Sequence, residues 1–257
     1  MNRWLAAHLS GTFAFLYLPI LVLMVLSFNK AGLPTAWGGF SVEWYGKLFA
    51  NPKIQSSALN SVIVATIATL IATVIGTLLA LGVERARPSA TREALLFAPM
   101  IIPDIVLAIA LLSFFTLVKF SLGLHSIIMA HVVFNIAFVA AVVRARLKGF
   151  DWSLTEVSRD LGAGPFATFW HITLPLIFPS VVAAALLSFT LSIDEFIIAY
   201  FTAGAGQSST TLPMQIYSMI RFGVTPEINA MATIVMFVSF AALLAAQRLN
   251  RGKIPGM

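Results

Sequence analysis

The sequence predicts an all-helical integral membrane protein with six transmembrane helices, and three observations carry that reading. Of 257 residues, 59% are hydrophobic and only 10% charged, far from the usage of a soluble domain. Six apolar runs are long enough to cross a hydrocarbon core of about 30 Å, which takes roughly 20 residues at helical rise. Lys and Arg are shared unevenly: 11 lie in the termini with segments 84–94 and 144–175, against 5 in segments 29–56, 119–123 and 200–227. That bias places both termini in the cytoplasm.

The runs fall near 9–28, 57–83, 95–118, 124–143, 176–199 and 228–247, in one transmembrane domain, 1–257. The first is long, carries only Arg3 ahead of it and runs into "VLSFNK" with no small-residue cleavage pattern, so it reads as a span and not a signal peptide. Between the first two spans, Trp37, Phe40, Trp44, Tyr45 and Phe49 gather with little charge, as in a segment lying in the membrane interface. The second span repeats small residues at Ala68, Ala72, Gly76 and Ala80, and the fifth at Ala184, Ser188 and Ser192; such stripes let another helix approach closely without naming it. Pro19, Pro99, Pro103 and Pro179 sit inside spans one, three and five, where they should kink or break the helix. Broken helices are tolerated in a membrane where they line a cavity.

Several functions are excluded. The chain has no Cys, hence no disulfide and no thiol chemistry. It has no phosphate-binding G-x-x-x-x-G-K-[ST] loop, no H-E-x-x-H and no G-x-S-x-G. Gly162-Ala163-Gly164-Pro165-Phe166-Ala167 matches a dinucleotide-binding pattern in letters, but a helix and not a strand precedes it. No enzyme is supported. The formal charge of +6 is a topological signal and calls for no nucleic acid: Arg144, Arg146 and Lys148 read as anchors beside anionic lipid headgroups. His131 lies mid-span without a second ligand at helical spacing, so it reads as a hydrogen-bonded packing residue and no metal is expected.

Three carboxylates lie in the spans without a basic counterpart: Asp104, Asp194 and Glu195. Each costs about 2.5–3.5 kcal/mol at mid-bilayer on insertion scales. One explanation is a helix cap at Asp104 and an interfacial position for the pair; the other, which we take as the expectation, is a substrate route. Adjacent helical residues point about 100° apart, so one of Asp194 and Glu195 faces a given cavity. Carboxylates suit a cation, whereas an oxyanion route would offer basic groups or helix N-termini.

The segment 144–175 has its own helical grammar. Ser153-x-x-Glu156 is a capping box, Gly162 can end a helix, and Gly164-Pro165 can begin a second turn before the chain re-enters lipid near Leu174-Pro175. A short helix lying along the cytoplasmic face offers a dock for a soluble partner. Because this chain carries no phosphate loop, the natural partner is a separate ATPase.

Glu156, Gly162 and Ile172-x-Leu174-Pro175 reproduce the E-A-A-x3-G-x9-I-x-L-P loop of the inner-membrane permeases of binding-protein-dependent ABC importers. Val157-Ser158 stands where that loop usually has two alanines. "YLPILVLMVLSFN", "WYGKLF", "PMIIPDIVLAIALL", "SRDLGA", "SFTLSIDEFI" and "TLPMQIYSMIRFGVTPEINAMATI" extend the likeness over nearly the whole chain, to the spermidine/putrescine permease group of that family. The resemblance implies the type I ABC importer permease fold in a bacterial inner membrane, with a coupling helix between spans four and five. It implies a heterodimer with a sister permease, two cytoplasmic ATPase subunits that hold ATP and Mg, and a periplasmic polyamine-binding protein. No cofactor is implied in this chain. Glu156, Asp160, Leu161, Gly162, Ala163, Ile172, Leu174 and Pro175 would then meet or orient the ATPase, with Asp104, Asp194 and Glu195 along the route. A permease for another small organic or cationic substrate, and an ion-coupled carrier, are the competing expectations; a carrier usually shows an inverted repeat, and none is visible.

Overall fold

The computed structural model describes residues 3–32, 36–86, 89–206, 208–221, 223 and 225–251, and the side chains of 3, 238–239 and 241–251 lie outside the description. Among the described residues the secondary structure is helical, apart from one isolated bridge between Asn29 and Phe40. The helices are α1 (Arg3–Leu26), α2 (Glu43–Ala50), α3 (Pro52–Arg85), α4 (Ala90–Ile101), α5 (Asp104–Leu117), α6 (Leu124–Leu147), α7 (Ser153–Asp160), α8 (Pro165–Thr168), α9 (Leu174–Asp194), α10 (Ile197–Thr202), α11 (Leu212–Ile220) and α12 (Pro226–Arg251), with a π-turn at Phe169–Thr173 joining α8 to α9. Four helical runs among the described residues are individually long and apolar enough to cross a membrane: Trp4–Leu26, Pro52–Arg85, Leu124–Leu147 and Pro165–Asp194. The pair α4 and α5 qualifies jointly, across a bend of 104°.

The expected third span is therefore broken. Pro103 accounts for it: its ring disfavours helical backbone in the preceding residue, and Ile102 and Pro103 are both extended (ψ 130° and 137°). Pro19, Pro99 and Pro179 lie within helices that continue past them. Both ends of the expected fifth span, 176–199, move toward the N-terminus. It starts at Pro165 instead of 176, and it stops at Asp194, after which Glu195 is extended and α10 begins. Pro175 is absorbed by the π-turn, in which the Leu174 amide donates to the Phe169 carbonyl and shifts the register of the ladder ahead of the missing proline N–H. The expected sixth span, 228–247, lies in α12, though the side chains of its second half are outside the described residues.

The chain divides into two units, residues 1–55 with 215–257, and residues 56–214. In the first, α12 runs beside α1 and α2. The segment after α1 folds around Asn29. Its side-chain oxygen accepts the amides of Ala31 and Gly38, its Nδ2 donates to the Ala36 carbonyl, and its own carbonyl accepts Trp44 Nε1 at 2.8 Å. Phe28 lies 5.3 Å from both the Phe40 and Tyr45 rings. Trp37, Phe40 and Phe49 remain exposed.

In the second unit α6 is the central helix, packed on α4, α9 and α10. Both small-residue stripes find partners here. Ala68, Ala72 and Ala80 are fully buried, and a Cβ on Gly76 would meet Val139 Cγ1 at 2.7 Å; only glycine lets α3 come this close to α6. On α9, Ala184, Ser188 and Ser192 are buried; Ser188 reaches Thr69 of α3 at 3.3 Å and Ser192 reaches His131 of α6 at 2.6 Å. Apolar clusters fill the remaining space: Leu81, Leu96, Val143, Leu147 and Ile177 where α3, α4, α6 and α9 meet, and Leu107, Phe115, Phe134 and Ile198 between α5, α6 and α10.

Candidate functional site

The loop after α6 is built as two short helices at a sharp turn. Ser153 begins α7, but the expected capping box is not formed: Ser153 is inside the helix, and no side chain caps through it. Asp151 does the work instead, accepting the Ser153 hydroxyl at 2.7 Å and its amide at 3.0 Å, a local side-chain turn open to Asp two residues ahead. Those two bonds, the hydroxyl first, lower the Asp151 pKa below the ordinary carboxylate value. At the other end Gly162 adopts φ +87°, a left-handed conformation that glycine enters without a side-chain clash. The Gly162 amide donates to Arg159 and the Ala163 amide to Ser158, the paired bonds of a glycine helix stop. Pro165 then opens α8 at its first turn, where a missing amide costs nothing.

The two short helices are stitched together by Ser158 Oγ and Thr168 Oγ1 at 3.1 Å, so the serine standing at a usual alanine position has a partner. Thr155 and Thr168 are buried beneath them. On the outer side the loop presents oil: Leu161 is 83% and Phe166 79% exposed, with Leu154, Val157 and Trp170 exposed as well. Glu156 and Asp160 are exposed around these side chains, while Ala163, Ile172 and Leu174 are half-buried and Pro175 is exposed. Thus Glu156, Asp160, Leu161 and Gly162 are each exposed at α7 and the turn that ends it, and Ile172 to Pro175 belong to the run that leads into α9.

The three carboxylates do not form one cluster. Asp104 is the first residue of α5, exposed directly after the Pro103 break, where the positive end of the helix dipole favours it. Asp194 is the exposed last residue of α9, where that dipole is unfavourable. Glu195 turns inward with its side chain 10% exposed: Oε1 accepts the Ile198 amide and Oε2 the Ala199 amide, both at 2.9 Å, and His131 Nε2 stands 3.6 Å from Oε2. The glutamate caps α10 and explains the break after Asp194. His131 is buried and hydrogen-bonded to Ser192, as expected of a packing histidine, and no group of three or more metal-ligating side chains occurs among the described residues.

One basic residue departs from its expected place. Arg144 is not a headgroup anchor: it is buried, its Nε 3.3 Å from Glu84 Oε2 and its Nη2 3.0 Å from Glu93 Oε1, with the Phe97 ring 5.7 Å away. Sequence reasoning missed this because the two glutamates lie at the facing ends of α3 and α4, more than 50 residues away. The available signal was the pair of acids among the arginines of 84–94, too many to be explained by topology alone.

A profile of the family described as "Binding-protein-dependent transport system inner membrane component" matches residues 72–254. The chain is 40% identical over 247 residues to the spermidine/putrescine transport system permease protein PotC of Haemophilus influenzae, covering 95% of each. It is 38% identical over 266 residues to the putrescine transport system permease protein PotI of Escherichia coli K12, covering 98% of this chain and 94% of that one. Among solved structures it resembles a bacterial ABC transporter involved in the import of the acidic polysaccharide alginate, with TM-score 0.77 at 16% identity over 99% of this chain and 97% of that chain; at that identity the likeness speaks for the fold alone.

Proposed function

The chain belongs to the family of binding-protein-dependent inner-membrane transport components, and on that premise we propose that it is one permease half of an ATP-driven importer of polyamines, spermidine or putrescine. The observation that carries the substrate class is the end-to-end likeness to permeases named for those two molecules. The chemistry of the chain agrees with it. A polyamine is a string of ammonium groups, and the unopposed acids Asp104 and Asp194 are exposed where helices break. Glu195, already engaged by two amides, shapes the break and leaves its neighbour free to meet a cation.

In this reading the whole chain is a single permease domain with six spans, α4 and α5 together forming the third and α12 the sixth, and both termini are cytoplasmic. The helix α7 is the coupling helix. What supports that role is an internally bonded loop that exposes Leu161 and Phe166 together with the charged Glu156, Arg159 and Asp160: an apolar tip with charged neighbours fits a cleft on a soluble partner. The partners are a sister permease, two ATPase subunits that carry ATP and Mg, and a periplasmic polyamine-binding protein. Closure of the ATPase pair moves the docked helices, the bundle opens outward to take the polyamine, and reopening releases it inward by alternating access. Asp104 and Asp194 replace water around the ammonium groups.

The test is uptake of radiolabelled spermidine and putrescine by the complex purified through a tag on this chain and reconstituted in liposomes. Asp104→Asn combined with Asp194→Asn should lower uptake at least tenfold while the ATPase stays bound; wild-type uptake would remove the route assignment. Leu161→Asp should release the ATPase from the purified complex, and its retention would remove the docking assignment.

A further inference from the structure

The last turn of α3 is gripped from two sides. Glu84 is held by Arg144 of α6, and the same guanidinium reaches Glu93 in the first turns of α4. The next residue, Arg85, lies with its guanidinium 5.0 Å from the ring centre of Trp152, the residue that precedes α7. Trp152 is in turn set edge-on against Phe150 at 4.9 Å, and Phe150 and Leu147 are buried. Between α6 and α7 the backbone stays bonded turn on turn, Lys148 to Arg144, Gly149 to Arg146, Phe150 to Leu147. The start of α7 thus touches α3 directly and is joined to α6 by a short braced link.

An arginine suits this junction because its rigid planar fork reaches Glu84 from Nε and Glu93 from Nη2, whereas a lysine presents its donors from a single point on a flexible stem. Stability alone is a weak reason for it: a buried ion cluster is often no better than an apolar set of the same volume. What a charge cluster adds is direction, since it holds three helix ends in one arrangement and resists their sliding apart.

We propose that Arg144 is a positioning residue of the transport stroke, acting through Glu84 and Glu93 so that displacement of α7, entering at Trp152 and Arg85, moves the ends of α3, α4 and α6 as one body. The assignment rests on the reading of α7 as the ATPase dock. It locates the mechanical link between dock and spans on one side chain and its two acids, so that ATP turnover without movement of substrate is the defect its loss produces.

The experiment measures ATP hydrolysis and radiolabelled spermidine uptake in the same proteoliposomes carrying the native complex with its binding protein. Arg144→Met, an apolar replacement of similar length, should cut spermidine moved per ATP hydrolysed about tenfold, with Arg144→Lys intermediate and the exchange Arg144→Glu with Glu84→Arg restoring part of the loss. A purely structural arginine predicts that Arg144→Met leaves this ratio unchanged, and that result overturns the proposal. Should Arg144→Met fail to assemble, Glu93→Gln decides, because the Glu93 side chain is half exposed and tolerates change: a ratio about threefold lower supports the link, an unchanged ratio overturns it. Failure of the underlying docking reading shows separately, as ATPase retained by Leu161→Asp whatever the Arg144 ratio.

Discussion

Two neighbouring carboxylates with different fates show how a residue's job is set by local backbone. Asp194 ends α9 in the open, while Glu195, one peptide further, is extended and caps α10 through both oxygens. Removing Glu195 strands two amides and takes away the carboxylate 3.6 Å from His131 Nε2, so Glu195→Ala should destabilise the folded protein by about 1–3 kcal/mol, the cost of leaving buried donors without partners. Asp194→Asn removes no internal bond and should leave stability within about 0.5 kcal/mol. Thermal unfolding in detergent separates the two, and equal losses would refute the division of labour. The presence of three unusual acids was legible in the sequence; their orientations were not. No Pro or Gly marks the break at Glu195, because the glutamate itself stabilises the turn it causes. Asp104 was easier to place, since Pro103 announces the break ahead of it.

At the scale of the element, the loop from Asp151 to Thr173 was the most readable part of the chain, because glycine and proline punctuate it. The stop at Gly162 and the start at Pro165 fell where turn chemistry put them. The cap did not, since Ser153 and Asp151 both satisfy the requirement for a short polar acceptor and spacing cannot choose between them. Gly162→Ala should test the stop: the space around it is open, so the cost is the left-handed conformation, about 1–2 kcal/mol. Amide exchange should rise across residues 159–165 with little change in the bundle, and unaltered exchange would refute the left-handed stop. The other end is pH-sensitive. Asp151 has a lowered pKa, so its bonds to Ser153 favour the folded loop above the unfolded carboxylate value, and that contribution is lost as pH falls through the lowered folded one. Asp151→Ala should abolish the loss of Ser153 amide protection at low pH, measured as exchange relative to the intrinsic rate at each pH.

For the whole molecule, hydropathy pointed to membrane-crossing helices because lipid demands long apolar helices with internally satisfied backbones, and among the described residues four single helices and the bent pair of α4 and α5 are long and apolar enough. It could not foresee where those helices break or which faces pair, since every face of a buried helix reads as apolar. Gly76 against Val139 and the Arg144 cluster are matters of three-dimensional fit, and only charge distribution across the loops speaks to orientation. The absence of cysteine makes that orientation directly measurable, because any introduced thiol is the sole target. Lys47→Cys on exposed α2 and Lys148→Cys at the exposed end of α6 should respond oppositely to a membrane-impermeant maleimide. The first should label in intact spheroplasts, the second only after the membrane is opened. Labelling in the reverse order would turn the protein over, put α7 on the wrong face for any cytoplasmic ATPase, and remove the physical basis for an ATP-driven stroke through Arg144.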